Sequence, residues 1–583
     1  MQGNYFLGLG VTYHDPALAI VDDDGSVLFA EATERFLQYK RALNSEPDNL
    51  YLLPDLLKRY CQEPRSITIA TNWKRQRPWY ERAMNAMGVL STAGIHRRGL
   101  KTLNTPLSNE QIHHMMACNR NSIRQAGLNA VGIIRRHCPG TAIHFTDFAH
   151  HDSHAALACY GSGYADALCA VVDSYGERGS MAFYRWSEGR MTLLHEAIGL
   201  GSIGLFYMKM TELCGFDWMK GEEWKVMGLA AYGRCDDELL RLMEGTLTVR
   251  DMAAVHPGAT LRASLEAMAA WRQARQHSLE SAAALAATAQ CWFERQMQRI
   301  LTALHRRGGS DHLVLSGGCA LNSACNGRLL ANTPFRSLYV PPAPADDGTA
   351  LGAAWLAWQQ RHPEKRLGAE SLPLSPYLGS SLRQDTLKHL LNFGHGLRIW
   401  HLPDTLCEET ASRIAAGKLV AWVQGRAEFG PRALGNRSIL ADPRDPRMKD
   451  TINARVKFRE EYRPFAPAIL DEYGDDYFED YQYTPYMERA LMFRPEVMAR
   501  VPAVVHADGS GRLQSVRADW NPRYHGLISA FQRMTGVPVV LNTSFNIMGK
   551  PMVHTVEDAL GVFLTSGLDV LVMEDYLVEK PAP

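Results

Sequence analysis

Residues 5–32, YFLGLGVTYHDPALAIVDDDGSVLFAEA, alternate apolar, β-prone runs with a polar turn at TYHDP and with the pair Asp24-Gly25. Asp-Gly between such runs signals a hairpin, because glycine accepts the positive φ of a tight reverse turn. The stretch is expected to open a sheet as strand, turn and strand. A second version stands at residues 168–197, LCAVVDSYGERGSMAFYRWSEGRMTLLHEA, where an apolar strand ends at Asp173 and turns follow at Gly179 and Gly189. Recurrence after roughly 150 residues is too long for a solenoid repeat and suits a duplicated domain.

Helical periodicity dominates residues 261–306, up to a stop at Gly308-Gly309. HLVLSGGCALNSACNGRLL (312–330) reads as a buried strand passing through a glycine turn into a helix. YVPPAPADDGTALGAAWLAWQQR (339–361) reads as a strand, an acidic turn and a helix. Strand, polar turn, helix is the layout in which ligands sit at the carboxyl ends of strands. Residues 358–385 are rich in proline, serine, glycine and charge and are expected to hold a domain boundary. Beyond them KLVAWVQ (418–424) and GVPVVLNTSFN (536–546) read as buried strands of a compact α/β unit.

A chain of 583 residues exceeds what one hydrophobic core organises, so two or more domains are expected. Hydrophobic residues make up 46% and charged residues 21%, which excludes a disordered or fibrous chain. Lys and Arg number 62, as do Asp and Glu, so no overall basic surface serves nucleic acid or an anionic membrane; any anion site must be local. The first apolar stretch lacks a basic leader and soon meets His14, Asp15 and Pro16, so a strand rather than a signal peptide is expected. No run approaches the roughly 18 apolar residues of a membrane helix, and the cytoplasm is the expected compartment. Eleven cysteines without a C-x-x-C pair, some in apolar segments as at Cys159 and Cys169, read as free thiols.

Several constellations carry chemistry. In HHDSH (150–154), His150 and His154 are four apart and would share one helix face, while His151 points elsewhere. Asp173 ends a strand and Asp346 lies in the turn ADDG, so the four could hold one divalent metal; Fe(II), Zn(II) and Mn(II) all suit such ligands. An ordinary packed histidine pair is the alternative. SGGCALN (316–322) offers Gly317 and Gly318 N–H groups to a phosphate and Asn322 to a ligand hydroxyl or phosphate, or else uses its glycines for turn geometry alone. HHMM (113–116) is left unassigned.

EFGPRALGNRS (428–438) puts Arg432 and Arg437 among glycines and a proline, and KFREEYRPFAP (457–467) adds Lys457, Arg459 and Arg463. Arg512 follows in HADGSGRLQSV (506–516), and LNTSFN (541–546) can aim Ser544 and Asn546 at the same spot. Guanidinium groups on loose turns at strand ends suit a polyphosphate, because they grip its oxygens bidentately; a solvated basic face is the alternative. In TYHD (12–15), His14 oriented by Asp15 suits a general base, or a turn cap. Lys40 is a further phosphate contact or an exposed lysine.

Taken together, EFGPRALGNRSILADPRDP, VKFREEYRPFAPAIL, VPVVLNTSFNIMGKP, EEWKVMGLAAYG and the spacing from HHDSHA to Asp173 resemble the ATP-dependent O-carbamoyltransferases. That family includes the nodulation-factor, cephamycin, tobramycin and saxitoxin carbamoyltransferases. The resemblance covers nearly the whole chain. It implies an α/β protein whose residues 1–370 form a duplicated actin-like ATPase domain, similar to the tRNA threonylcarbamoyl transferase subunit. Residues 371–583 would form an α/β domain similar to threonylcarbamoyl-adenylate synthase (YrdC-like).

By the same resemblance, the later domain would turn carbamoyl phosphate and ATP, with Mg(II) on the nucleotide, into a carbamoyl adenylate held by Arg432, Arg463, Arg512 and Ser544. Enclosed passage would protect that mixed anhydride from water. In the earlier domain His150, His154, Asp173 and Asp346 would hold a divalent metal, iron by the family's pattern. Asp173 and Asn322 would lie near the nucleotide phosphates, and His14 would deprotonate the hydroxyl of a small natural product or sugar derivative. Transfer to tRNA and a non-catalytic nucleotide-gated regulator are the rival readings; the balanced charge argues against the former. No nucleic-acid or membrane partner is expected, a homodimer is allowed for, and residues 75 to 125 and 245 to 285 are expected to shape acceptor choice. Pro16, Ala17, Ser510 and Lys550 depart from the family's pattern.

Overall fold

The computed structural model describes residues 3–75, 105–367, 373–460 and 462–581. Contacts divide the chain into two compact units. The first comprises Met1–Glu34, Arg41–Asn322 and Leu329–Leu374. The second comprises Ser375–Pro583 together with two short segments from earlier in the chain, Arg35–Lys40 and Ser323–Arg328.

The first unit contains two sheets of the same design. β1 (Gly3–Gly10), β2 (Ala17–Val21), β3 (Val27–Ala32), β4 (Pro64–Thr71) and β5 (Ala142–Asp147) lie in the order β3-β2-β1-β4-β5. The β1–β2 and β2–β3 pairs are antiparallel, and β1–β4 and β4–β5 are parallel. β6 (Asp166–Val172), β7 (Met181–Ser187) and β8 (Arg190–Ala197) begin the second sheet, and a small hairpin of β9 (Thr248–Arg250) and β10 (Ala253–Val255) precedes its completion by β11 (His312–Ser316) and β12 (Ser337–Tyr339). The order β12-β11-β6-β7-β8, with β6–β7 and β7–β8 antiparallel and β6–β11 and β11–β12 parallel, reproduces the first sheet strand for strand. This is the duplicated arrangement of the actin-like ATPase fold.

The local causes are those the sequence displays. Gly25, at φ +85, turns β2 into β3. Leu7, Leu9, Leu18, Ile20, Ile67 and Ile69 alternate out of β1, β2 and β4 into one buried cluster. Residues 261–306 are helical, as their periodicity indicates, and form two helices, Gly258–Ala274 and Leu279–Gly308. Gln276 and His277 take positive φ values of 53° and 51°, and Ser278 caps the second helix by accepting the Ser281 N–H.

In the second unit the main sheet runs β13-β22-β21-β14-β15-β20-β16-β19. Its strands are β13 (Arg398–His401), β14 (Val420–Val423), β15 (Arg437–Ala441), β16 (Ala466–Leu470), β19 (Gln514–Val516), β20 (Val539–Ser544), β21 (Val570–Met573) and β22 (Tyr576–Glu579). A two-stranded pair, β17 (Leu491–Met492) with β18 (Ser510–Gly511), stands apart from it. The sheet is mixed, so loops from the amino ends of some strands meet loops from the carboxyl ends of others. Ser438, at the start of β15, pairs with Ser544, at the end of β20; Ala466, at the start of β16, pairs with Asn542; and Ala468 pairs with Gln514 of β19. The segments before β15, β16 and β19 and the segment after β20 therefore share one end of the sheet. Among the described residues, no helix is long and apolar enough to cross a membrane.

Two helices of the first unit, His150–Gly161 and Thr349–Arg361, follow the equivalent strands β5 and β12 and pack against each other. A Cβ on Gly352 would lie 1.9 Å from the Ser153 carbonyl oxygen, so glycine sets the depth of that approach. Gly352→Ala is expected to destabilise the protein by about 1–3 kcal/mol through overpacking, although alanine has the better helix propensity. A thermal-melting experiment in which the variant melts higher than the parent would contradict this account.

Candidate functional site

The first unit's duplicated topology brings four ligating side chains together. His150 and His154 are one turn apart on their helix, Asp173 follows β6 directly, and Asp346 opens the 3-10 turn Asp346–Gly348 ahead of the helix after β12. His150 Nε2 lies 3.3 Å from Asp173 Oδ2 and 3.5 Å from Asp346 Oδ1; His154 Nε2 lies 3.9 and 3.5 Å from the same two carboxylates. All four ligand atoms fall within 4.8 Å of one another, and all four side chains are buried. Two nitrogens and two carboxylate oxygens make a donor set that fits Fe(II), Zn(II) or Mn(II).

Electrostatics supports that fit. Burial opposes charge on His150, yet Asp346 and Asp173 beside it raise its pKa to about 10. Burial likewise pushes the Asp173 carboxyl up, but the hydrogen bond with His150 and its neighbouring charges hold it below the usual range. Protons here occupy the positive role that a cation would fill. His151 stands outside the donor set, and burial together with His150 pushes it down to about 3, so it is neutral.

The diglycine turn packs closely against the end of β6. Gly317 is at φ +90, with Val172 O 2.4 Å from where a Cβ would sit, and the Gly318 N–H donates to Asp173 Oδ1 at 3.1 Å. That N–H orients Asp173 within the cluster. Asn322 is paired amide to amide with Gln290, at 2.9 and 3.0 Å. Two neighbours of the cluster escaped sequence reasoning because nothing in their local pattern marks them. Trp73 stacks on His150 with centroids 4.3 Å apart and planes at 17°. Buried Asn72 accepts the Val11 N–H at 2.8 Å and donates to Thr349 Oγ1 at 2.7 Å, tying the end of β1 to the helix after β12.

His14 lies in the β1–β2 loop, the topological counterpart of the β6–β7 loop that carries Asp173. Its Nδ1 is 2.9 Å from Asp15 Oδ2 and 3.7 Å from Asp346 Oδ2. Arg41 Nε and a terminal nitrogen donate to Asp15 Oδ2 at 3.1 and 3.0 Å. Burial would raise the Asp15 carboxyl, but Arg41 and His14 outweigh it and hold it at about 2, so Asp15 is an anion throughout the neutral range. Arg41 is a site residue that the sequence did not single out; 26 positions separate it from its partner.

In the second unit the cations converge at one end of the main sheet. Arg432 precedes β15, Lys457, Arg459 and Arg463 precede β16, and Arg512 precedes β19. Lys40 also belongs to this unit and bears electrostatically on Lys457. Burial lowers Arg432 to about 10; burial and Arg463 lower Arg459 to about 9; burial, Arg432, Arg459 and Arg463 push Arg512 well down. Buried N–H groups of Arg459 and Arg512 have no acceptor among the described residues. The Glu460 carboxylate meets Arg463 at 3.3 Å.

Three expected anion ligands of this unit have other work. Arg437 is fully buried and donates to the carbonyls of Gln424, Gly425, Asn436 and Ser380, so it braces the loop and is corrected from ligand to support. Lys457 Nζ is surrounded by the Ser544 carbonyl and hydroxyl and by the Asn546 carbonyl and Oδ1, and Asn546 donates its amide to the Lys550 carbonyl at 2.6 Å. These contacts hold the turn after β20, and with it Ser544. A further organiser is Glu428, 1% exposed, whose Oε1 accepts the backbone N–H groups of Leu434, Asn436 and Arg437 at 2.7, 2.8 and 3.1 Å.

Comparison with known proteins bears directly on this arrangement. Residues 138–355 match the family described as Carbamoyltransferase N-terminus, and residues 411–580 match that described as Carbamoyltransferase C-terminus. Nodulation protein NolO of Bradyrhizobium diazoefficiens is 37% identical over 450 residues, covering 74% of this chain and 78% of that protein. The chain belongs to the carbamoyltransferase family. It is accordingly a transferase. Nodulation protein NolNO of Sinorhizobium fredii is 38% identical over 448 residues, 74% of this chain and 63% of that protein. Uncharacterized protein sll1178 of Synechocystis is 30% identical over 620 aligned residues, 99% of this chain and 97% of that protein.

Two measurements check the site of this carbamoyltransferase. A divalent ion at a hundred times its dissociation constant should stabilise the first unit by about 2.7 kcal/mol, and Asp346→Asn should remove most of that gain in differential scanning calorimetry. Glu428→Gln keeps the shape of the side chain but weakens the charge-assisted bonds to three N–H groups, so chemical denaturation should report a loss of about 1–3 kcal/mol.

Proposed function

We propose that the enzyme is an O-carbamoyltransferase working in two chemical steps. The observation that carries this reading is the group of cations gathered at one end of the second unit's sheet, which repel one another; in it, buried N–H groups of Arg459 and Arg512 have no acceptor among the described residues. Several phosphate groups would answer that charge, and ATP with carbamoyl phosphate supplies them. In the first step water splits carbamoyl phosphate into carbamate and phosphate. A carbamate oxygen then attacks the α-phosphorus of ATP, pyrophosphate leaves, and carbamoyl adenylate remains. Arg432, Arg463 and Arg512 would hold the phosphate oxygens while charge shifts to the leaving group, with the Ser544 hydroxyl positioned by Lys457 and Asn546.

In the second step the oxygen of an acceptor alcohol attacks the carbamoyl carbon, the bond from that carbon to the adenylate oxygen breaks, and AMP leaves. An alcohol is a weak nucleophile, so its proton must be taken up as the bond forms. The contact of Asp15 with Nδ1 favours the His14 tautomer whose Nε2 lone pair accepts that proton. Arg41 keeps Asp15 anionic for this task. His150, His154, Asp173 and Asp346 would hold a divalent ion, which when bound supplies Lewis-acid stabilisation of negative charge at the carbonyl.

The two steps can be separated experimentally. Arg463→Ala should slow carbamoyl-phosphate-dependent pyrophosphate release by on the order of 100-fold or more. His14→Ala should spare pyrophosphate release and slow carbamoylation of the alcohol by on the order of 100- to 10,000-fold. Equal losses at both steps in either variant would overturn the assignment.

A further inference from the structure

We infer that the acceptor is an uncharged alcohol presenting an apolar or aromatic ring face, and that Met115 and Met116 form part of the wall that recognises it. This rests on the reading of the first unit as the transfer site. A cleft open to solvent reaches His14 and Asp346. Its walls are Trp73, Tyr175, Ile112, Met115, Met116 and Leu205. Met115 and Met116 face the cleft from the helix Asn109–Gln125. Of the expected acceptor-shaping stretch 75 to 125, residues 76–104 lie outside the described residues, and no described lining residue comes from 245 to 285.

The wall is a built surface. Ile112 and Leu205 belong to a core cluster with Leu107, Met208 and Trp218, against which Met115 and Met116 pack. Arg41, which holds Asp15, also donates to the carbonyls of Trp218 and Met219 at 3.3 and 3.1 Å, so one guanidinium links the wall to the base. Trp73 has its plane fixed by the stack on His150 and offers a rigid aromatic surface close to the reacting end of the cleft. Methionine side chains adapt to the outline of an apolar ligand at little cost.

Charge narrows the class. Among the described lining residues no Lys, Arg or Glu occurs, and the one carboxylate, Asp346, belongs to the metal cluster. Burial pushes the Tyr13 hydroxyl up, so it is neutral. Thr12, Asn119 and Ser174 provide uncharged hydrogen-bonding groups. Among the described lining residues a polycation would lose water and meet no carboxylate besides Asp346, and an anion would meet no guanidinium. A neutral molecule with hydroxyls on one side and an apolar face on the other meets neither penalty.

The test offers the enzyme, with carbamoyl phosphate, ATP and Mn(II), three alcohols: phenyl β-glucoside, methyl β-glucoside and the polycation kanamycin. Carbamoylated product is read by mass, pyrophosphate release separately, and glucoside binding by saturation-transfer NMR. The phenyl glucoside is expected to exceed the methyl glucoside at least tenfold, and kanamycin at least a hundredfold, in kcat/KM. The paired change Met115→Ala and Met116→Ala should raise its KM at least tenfold, more than it lowers kcat. With pyrophosphate release intact, a preference for kanamycin, failure of the phenyl glucoside to bind or react, or an unmoved KM in the variant would overturn this inference alone. Absence of carbamoyl-phosphate-dependent pyrophosphate release would overturn the two-step function beneath it.

Discussion

Mutual repulsion among Arg432, Arg459, Arg463, Arg512 and Lys457 is the constraint to which the second unit is built. Two like unit charges about 4 Å apart cost on the order of 4 kcal/mol at an effective dielectric near 20. A chain gathers such groups only where the rest of the fold can hold them. The apolar strands supply that hold: Trp422, Ile439, Leu440, Ile469, Val540 and Leu541 are fully buried in one cluster behind the cationic end. Glu428 and Arg437 then fix the loop between β14 and β15 from inside, one by accepting backbone N–H groups and the other by donating to carbonyls. Braced and outward-facing residues thus alternate along EFGPRALGNRS. Arg437 is enclosed, while Arg432 remains partly exposed at the charged end.

The first unit meets the opposite problem, an excess of carboxylate near imidazole, and solves it through its pseudo-symmetry. The loop of β1–β2 brings His14 and that of β6–β7 brings Asp173, while the helices after β5 and β12 bring the histidine pair and Asp346. Equivalent positions in two copies of one topology therefore converge on one place, with each copy contributing different chemistry. Close backbone approach completes the arrangement, since Gly352 lets one helix settle against Ser153 of the other.

Residues chosen for their chemical type divide according to how their polar atoms are satisfied. The imidazoles of His150 and His154 and the carboxylates of Asp173 and Asp346 face one another. By contrast, the Gly318 N–H, the Asn322 amide, the Arg437 guanidinium and the Lys457 ammonium already have protein partners. These are supports that orient the groups beside them. Nothing in a local motif distinguishes a donor aimed at a ligand from one aimed at a carbonyl, because the partner lies far away in the chain: Lys457 is 87 positions from Ser544, and Gly318 is 145 from Asp173.

The sequence by itself determined the duplicated sheet design, the charged turns at strand ends and the histidine pair on one helix face, because hairpin signals, hydrophobic periodicity and i, i+4 spacing are short-range effects. It also carried the family, through ordered blocks of residues. Tertiary structure alone decided that residues 261–306 break at Gln276 and His277, that Arg41 orders Asp15, that Trp73 stacks on His150, and that Met115 and Met116 face a cleft. Each depends on which distant surfaces come into contact, and that is settled by packing and strand order over the whole unit.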